Sequence, residues 1–140
     1  GGRFSSIVGT NTDVRNIAVW DGTAWSPLQT TLGDVGLGTP GALVGEGISA
    51  LAWMDYGAGP RLIAAGNFSQ TIGPAPRTMN SIARWNGSAW SAVDPSSSIS
   101  GAISTLVTSS GAVQSNGIFI GGTFTNSGAG DSGIAEWGCE

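Results

Sequence analysis

Short apolar runs alternate along almost the whole chain with stretches rich in Gly, Ser, Thr and Pro. Residues 48–54 and 103–107 are short and apolar-rich, each reading as one strand. Residues 61–68 and 117–124 are nearly continuous apolar runs ending in Gly-x-Phe, the pattern of a strand covered on both faces. Residues 16–20 and 81–85 come next, then Asp21-Gly22 or Asn86-Gly87, then residues 25–28 and 90–93. Asp-Gly and Asn-Gly tolerate the positive φ angles of tight type I′ turns, so each pair of runs predicts a hairpin. A four-residue loop sets Trp20 directly opposite Trp25, whereas a two-residue loop makes them diagonal neighbours. In both cases they pack across the hairpin, as Trp85 and Trp90 do. No segment carries a helical period with caps. The pattern is all-β.

The runs echo one another. Gly2-Arg3-Phe4 returns as Gly66-Asn67-Phe68 and as Gly122-Thr123-Phe124. Ile17-Ala18-Val19-Trp20-Asp21-Gly22 returns as Ile82-Ala83-Arg84-Trp85-Asn86-Gly87, then as Ile134-Ala135-Glu136-Trp137-Gly138. A third word, Ile48-Ser49-Ala50-Leu51, returns as Ile103-Ser104-Thr105-Leu106. Three words kept in order define a repeat. Its period is loose: 65 residues separate Trp20 from Trp85, and 52 separate Trp85 from Trp137. Fixed words with variable spacers are what strands joined by surface loops produce. One unit is then a meander of four antiparallel strands, the size of a propeller blade and too long for one coil of a solenoid. On this reading Trp20 and Trp85 should have like surroundings.

The words Gly-x-Phe, Ile-Ala-x-Trp-(Asp/Asn)-Gly-x-x-Trp and Ile-x-x-Leu resemble a broad family of secreted bacterial repeat proteins of β-propeller type, loosely kelch-like in strand order. The resemblance covers nearly the whole chain and rests on turn glycines and core aromatics, so it implies architecture rather than activity. It implies structural roles for Phe4, Trp20, Trp25, Phe68, Trp85, Trp90, Phe124 and Trp137. The third unit departs from the pattern, with Glu136 where Val19 and Arg84 stand and Gly138-Cys139-Glu140 in place of the turn and second Trp. In such a family that ending implies an exit from a last blade. Residues 1–47 are expected to form a partial blade (strands two to four) plus a long Gly-rich loop. Residues 48–102 should form a complete blade, and 103–140 a partial one with strands one to three. Closed propellers have four to eight blades, so the array is incomplete here. The chain is expected to be a fragment of a longer one, or to be completed by neighbouring copies.

Composition sharpens this picture. Charged residues make up only 10% of the chain, Gly reaches 24 of 140, and six Trp exclude a disordered tail. All cations are arginines (3, 15, 61, 77 and 84), and the net charge of −4 argues against nucleic acid as a partner. No apolar run is long enough for a membrane-spanning helix. Cys139 is alone, so these residues hold no internal disulfide. The Lys-free, Ser/Thr/Gly-rich composition suggests an extracellular or cell-surface setting.

Little points to chemistry. The absence of His removes Ser-His and Cys-His catalysis and His-ligated metals. Asp21 aligns with Asn86 and reads as a turn residue. Asp13, Asp34, Asp94 and Asp131 fall in Gly/Ser/Thr/Pro-rich spacers, and no carboxylate pair recurs between units as glycoside hydrolysis would require. Neither a cofactor nor a metal is expected; Asn11-Thr12-Asp13 reads as loop rather than cation site. Asn67-Phe68-Ser69 and Asn86-Gly87-Ser88 fit a glycosylation sequon, yet both also fit turn chemistry. Trp53 and Tyr56 lack aromatic counterparts in the next unit, where Thr108 and Gly111 stand, and lie beside a Gly-Pro turn. They are the candidate ligand contacts.

The sequence thus predicts a non-catalytic structural or interaction module, self-associating through open blade edges, with other blades of the same or neighbouring chains as partners. A lectin-like propeller binding glycans is the alternative. A propeller accessory to a larger secreted enzyme is a further one.

Overall fold

The computed structural model describes residues 1–10, 12–33, 35–39, 45–55, 59–72, 77–93, 99–111, 114–126 and 132–138. The described elements are strands: β1 (Ala18–Trp20), β2 (Trp25–Pro27), β3 (Gly47–Asp55), β4 (Pro60–Ile72), β5 (Arg77–Trp85), β6 (Trp90–Ala92), β7 (Ile99–Gly111), β8 (Gln114–Asn126) and β9 (Ser132–Gly138). They form three antiparallel sheets with neighbours in chain order: β1-β2, β3-β4-β5-β6 and β7-β8-β9. The all-β, antiparallel expectation holds, and the described residues show no closed sheet. The third sheet starts earlier than expected: β7 reaches back to Ile99, so a boundary at residues 102/103 runs through a strand.

Two cores lie on opposite faces of the middle sheet. In one, Ile17, Leu37 and the partly buried Leu28 pack with Ile48, Ala64, Phe68, Met79, Ala83, Trp85 and Trp90 of the middle sheet. In the other, Met54, Ile63, Ala65 and Ile82 from the opposite face of that sheet pack with Ile103, Ile118, Ile120, Phe124 and Ala135. Ile63, Ala64 and Ala65 therefore point alternately to opposite cores and are all fully buried, as the unbroken apolar run of β4 requires.

The recurring words are explained by bulges. Between β4 and β5 the register jumps from Ala65↔Ile82 to Ser69↔Asn80, setting Gly66-Asn67-Phe68 against Ser81 alone. Between β8 and β9 it jumps from Gly121↔Ile134 to Thr125↔Ser132, setting Gly122-Thr123-Phe124 against Gly133. Near the chain start the Gly2 amide donates to the Asn16 carbonyl and the Asn16 amide to the Phe4 carbonyl, so Gly2-Arg3-Phe4 oppose Asn16. The lone residue has positive φ each time: 60° at Asn16, 61° at Ser81 and 79° at Gly133. On the other edge of Gly66 and Gly122, β3 and β7 carry their own bulges at Ser49 and Ser104, inside the Ile-Ser-x-Leu word. A Cβ on Gly66 would overlap the Gly47 carbonyl oxygen, and one on Gly122 the Ala102 carbonyl oxygen. Only glycine fits there.

Both Trp hairpins have four-residue loops with Trp20↔Trp25 and Trp85↔Trp90 as direct cross-strand partners. The turn differs from the type I′ expectation. Positive φ falls on Gly22 (104°) and Gly87 (101°), not on the residue before each. Asp21 and Asn86 act instead through Oδ1, which accepts the amides of Thr23 and Ala24 in one loop and of Ser88 and Ala89 in the other. Like surroundings for Trp20 and Trp85 hold within the hairpin and fail outside it. Trp85 and Trp90 are 8% and 1% exposed, while Trp20 and Trp25 are 50% and 54% exposed, because no described sheet covers the first hairpin.

Candidate functional site

Among the described residues, two concave regions and the exposed ring of Trp53 offer surfaces with capacity to bind. The first region is an apolar groove of about 290 Å³ on the open face of the first hairpin, lined by Phe4, Ser6, Ile7, Val8, Ala18 and Trp25. Its residues are held by the bulge around Asn16 and by the Asp21 turn. Asn16 Oδ1 accepts the Phe4 amide at 3.3 Å, and its Nδ2 donates to the Leu37 carbonyl at 2.9 Å. The Trp20 and Trp25 rings meet at 5.4 Å between centroids, tilted by 46°. Phe4, Ala18 and Trp25 occupy the places that Phe68, Ala83 and Trp90 hold in the middle sheet, where the matched surface is filled by Ile17 and Leu37.

The second region is a polar cleft of about 320 Å³ where the middle sheet meets the start of β7. Asn67, Ser69, Asn80 and Ser81 form one wall, Ile99, Ser100 and Gly101 another, with Glu46 at the rim. Most of its polar groups bond one another or neighbouring backbone. Ser69 Oγ donates to Asn80 Oδ1 at 2.8 Å, Ser81 Oγ to the Gly101 carbonyl at 2.5 Å, and Asn67 Nδ2 to the Gly45 carbonyl at 2.6 Å. Glu46 accepts the Thr39 amide and hydroxyl at 2.8 and 3.1 Å. Among the described residues of the lining, Glu46 is the one carboxylate.

Trp53 stands on β3 opposite Leu62, 65% exposed, and its carbonyl accepts Thr108 Oγ1 at 3.4 Å. Its proposed companion Tyr56 lies outside the described residues, as do Cys139, Asn11, Asp34, Asp94 and Asp131. Phe68, Phe124, Trp85 and Trp90 are buried, consistent with packing roles, and Trp137 pairs with Ile118 across β8 and β9. The sequon residues Asn67 and Asn86 are exposed, each with its side-chain amide engaged in the hydrogen bonds above. Asp21 keeps its carboxyl below the ordinary carboxylate range, chiefly through the Ala24 amide and then the amide and hydroxyl of Thr23. Among the described residues no group of three His, Cys, Asp or Glu side chains is placed to hold a metal, and no helix is long and apolar enough to cross a membrane.

Sequence reasoning placed Phe4, Trp20 and Trp25 inside a core and so missed the groove. The polar cleft was missed because its residues sit at bulges, which the words mark without revealing. Compared with protein-family models, curated proteins and solved structures, the chain has no significant match.

Proposed function

We propose that the chain is a non-catalytic structural and interaction segment of a secreted or cell-surface protein, its sheets serving as successive blades of a propeller-type array. One observation carries this reading. The surface formed by Phe4, Ala18, Trp20 and Trp25 is open, while the matched surface of Phe68, Ala83, Trp85 and Trp90 is buried beneath Ile17, Leu28 and Leu37 of the preceding unit. Exposed, contiguous aromatic surface of this kind marks a protein-contact site. Its counterpart within the same chain supports reading that contact as packing between successive units.

Oxidative footprinting tests the reading. In the dilute, purified chain Trp20 and Trp25 should react much faster than Trp85 and Trp90. In native material from the producing cell, Trp20 and Trp25 should be protected. Equal reactivity of Trp20 and Trp25 in the two settings rejects an interaction face.

A second reading, glycan binding, draws on Trp53, whose exposed ring is a platform of the type sugars stack on. Trp53→Ala should then abolish binding on a glycan array while leaving the fold unchanged.

A further inference from the structure

Two Asn-Gly pairs stand in unlike frames, Asn86-Gly87 in the loop of the second hairpin and Asn116-Gly117 within β8. This dipeptide permits a reaction that needs no enzyme. The deprotonated backbone nitrogen of the glycine attacks the asparagine side-chain carbon, and glycine has no Cβ to block the approach. Three features favour it: a free amide, help in removing its proton, and donors for the charge that develops on Oδ1. The hairpin loop has all three. Among the described residues the Gly87 amide makes no hydrogen bond, and the space where its Cβ would stand is open. Arg61 Nη1 donates to the Asn86 carbonyl oxygen at 3.2 Å. That oxygen shares a resonant peptide bond with the Gly87 nitrogen, so the guanidinium stabilises the amide anion. Asn86 Oδ1 accepts the Ser88 amide at 2.9 Å, the Ser88 hydroxyl at 3.1 Å and the Ala89 amide at 2.8 Å. In β8 the Gly117 amide is instead committed to Ser109 Oγ at 3.2 Å, and Gly117 is paired with Ser109 on one side and Gly138 on the other. Ring closure there would require the strand to leave its ladder.

We infer that Asn86 is a site of spontaneous covalent modification, its side-chain amide lost as ammonia with the assistance of Arg61 and the donors around Oδ1. The Gly87 N–H gives its proton to solvent, the bond from Gly87 N to Asn86 Cγ forms, and the Cγ–Nδ2 bond breaks. Nδ2 takes up a proton and leaves as ammonia, and a cyclic imide remains. Water then opens the imide. Cleavage of the bond to Cγ leaves aspartate at position 86, and cleavage of the bond to the main-chain carbon leaves isoaspartate, with one more methylene in the backbone. The first hairpin shows what the aspartate form does, since Asp21 holds the matched turn through the same Oδ1. The isoaspartate form lengthens the loop where the Thr31 amide reaches the Ser88 carbonyl at 3.0 Å, and so loosens the contact between the first unit and the middle sheet.

Peptide mass spectrometry on the folded full chain, held near neutral pH at physiological temperature, follows both Asn-Gly pairs over time, and enzymatic methylation of isoaspartate separates the two products. Asn86 should convert at least about tenfold faster than Asn116, at a rate that rises with pH as the amide deprotonates. Arg61→Met keeps an apolar stem and removes the charge, and should slow Asn86 by about tenfold, with Arg61→Lys restoring part of the rate. Ser88→Ala removes one donor to Oδ1 from the exposed side of the loop and should slow it by less, which gives a second variant if Arg61→Met fails to fold. In denaturant both frames are lost, so the two pairs should convert at similar rates and Arg61→Met should have no effect. Asn86 converting no faster than Asn116 in the folded chain overturns the proposal. So does a folded Arg61→Met variant that converts Asn86 at the unmodified rate, or an Arg61→Met effect that persists in denaturant.

Discussion

The two Trp hairpins are the same object in two environments. Each has a four-residue loop, an Asx-type turn, and indole rings about equally spaced, at 5.4 Å and 46° in the first and 5.3 Å and 52° in the second. Local sequence therefore fixes hairpin geometry without help from a core. What differs is the neighbour. The second hairpin lies beneath Ile17, Leu28 and Leu37, while the first faces solvent. Burial of the pair is thus a property of stacking, not of the hairpin, and the energetic weight of matched residues should differ accordingly.

The widest separation is expected at the second Trp of each pair. Trp90→Ala empties a fully buried site and should cost about 3–5 kcal/mol. Trp25→Ala removes an exposed ring whose main contact is Trp20, and should cost about 1 kcal/mol. Urea unfolding of both variants measures the difference. Similar midpoints would show that the pairs contribute within their hairpins and that stacking adds nothing.

The Gly-x-Phe words give the next contrast. Gly66→Ala drives a methyl into the Gly47 carbonyl and the Ile48 backbone, so β3 must move, and a loss of about 1–3 kcal/mol is expected. Gly2→Ala meets only the edge of the Phe4 ring at 3.4 Å and should be close to neutral. Thermal melts showing equal losses would mean that the bulge at Gly66 relaxes freely.

These contrasts also mark what the sequence made legible. The all-β, antiparallel pattern followed from the words, because apolar runs and Asp-Gly or Asn-Gly turns act locally. The bulges did not, because nothing in the apolar runs marks that Gly66 pairs with Ile48 while Ser49 is skipped in the ladder. Exposure of Trp20 was illegible for a different reason: a word states which residues can pack, and only its neighbour decides whether they do. Of the candidate ligand contacts, Trp53 is exposed. The groove is assembled from Phe4, Ile7, Ala18 and Trp25, which lie on separate segments that only the bulge at Asn16 brings together.

Positive φ at the bulges supplies a smaller test. Ser81 holds 61°, a conformation costing a non-glycine residue about 1–2 kcal/mol, and offsets it by donating to the Gly101 carbonyl. Ser81→Ala keeps the strain and loses the bond, so a loss of about 1–2 kcal/mol is expected. Ser81→Gly reproduces the residue of the third sheet and relieves the strain, so its loss should be smaller. A glycine variant no more stable than the alanine variant would show that the positive φ at Ser81 carries no appreciable strain.

The smallest effect is expected at the turns, which differ by Asp21 against Asn86 and Thr23 against Ser88. Asp21 and Asn86 use the same Oδ1 to accept two backbone amides and a hydroxyl, so Asp21→Asn should leave stability near neutral pH almost unchanged. The variants should part company in acid. The amides of Ala24 and Thr23 hold the Asp21 carboxyl below its ordinary value in the folded chain. That stabilisation is present above the unfolded carboxyl's pKa of about 3.9 and is lost as pH falls through the lower folded value. Asparagine does not titrate, so Asp21→Asn should remove this one contribution to acid sensitivity. Unfolding midpoints measured from neutral pH downward should therefore fall less steeply for Asp21→Asn than for the unmodified chain. Parallel curves would mean that the carboxylate's hydrogen bonds are matched by water in the unfolded chain.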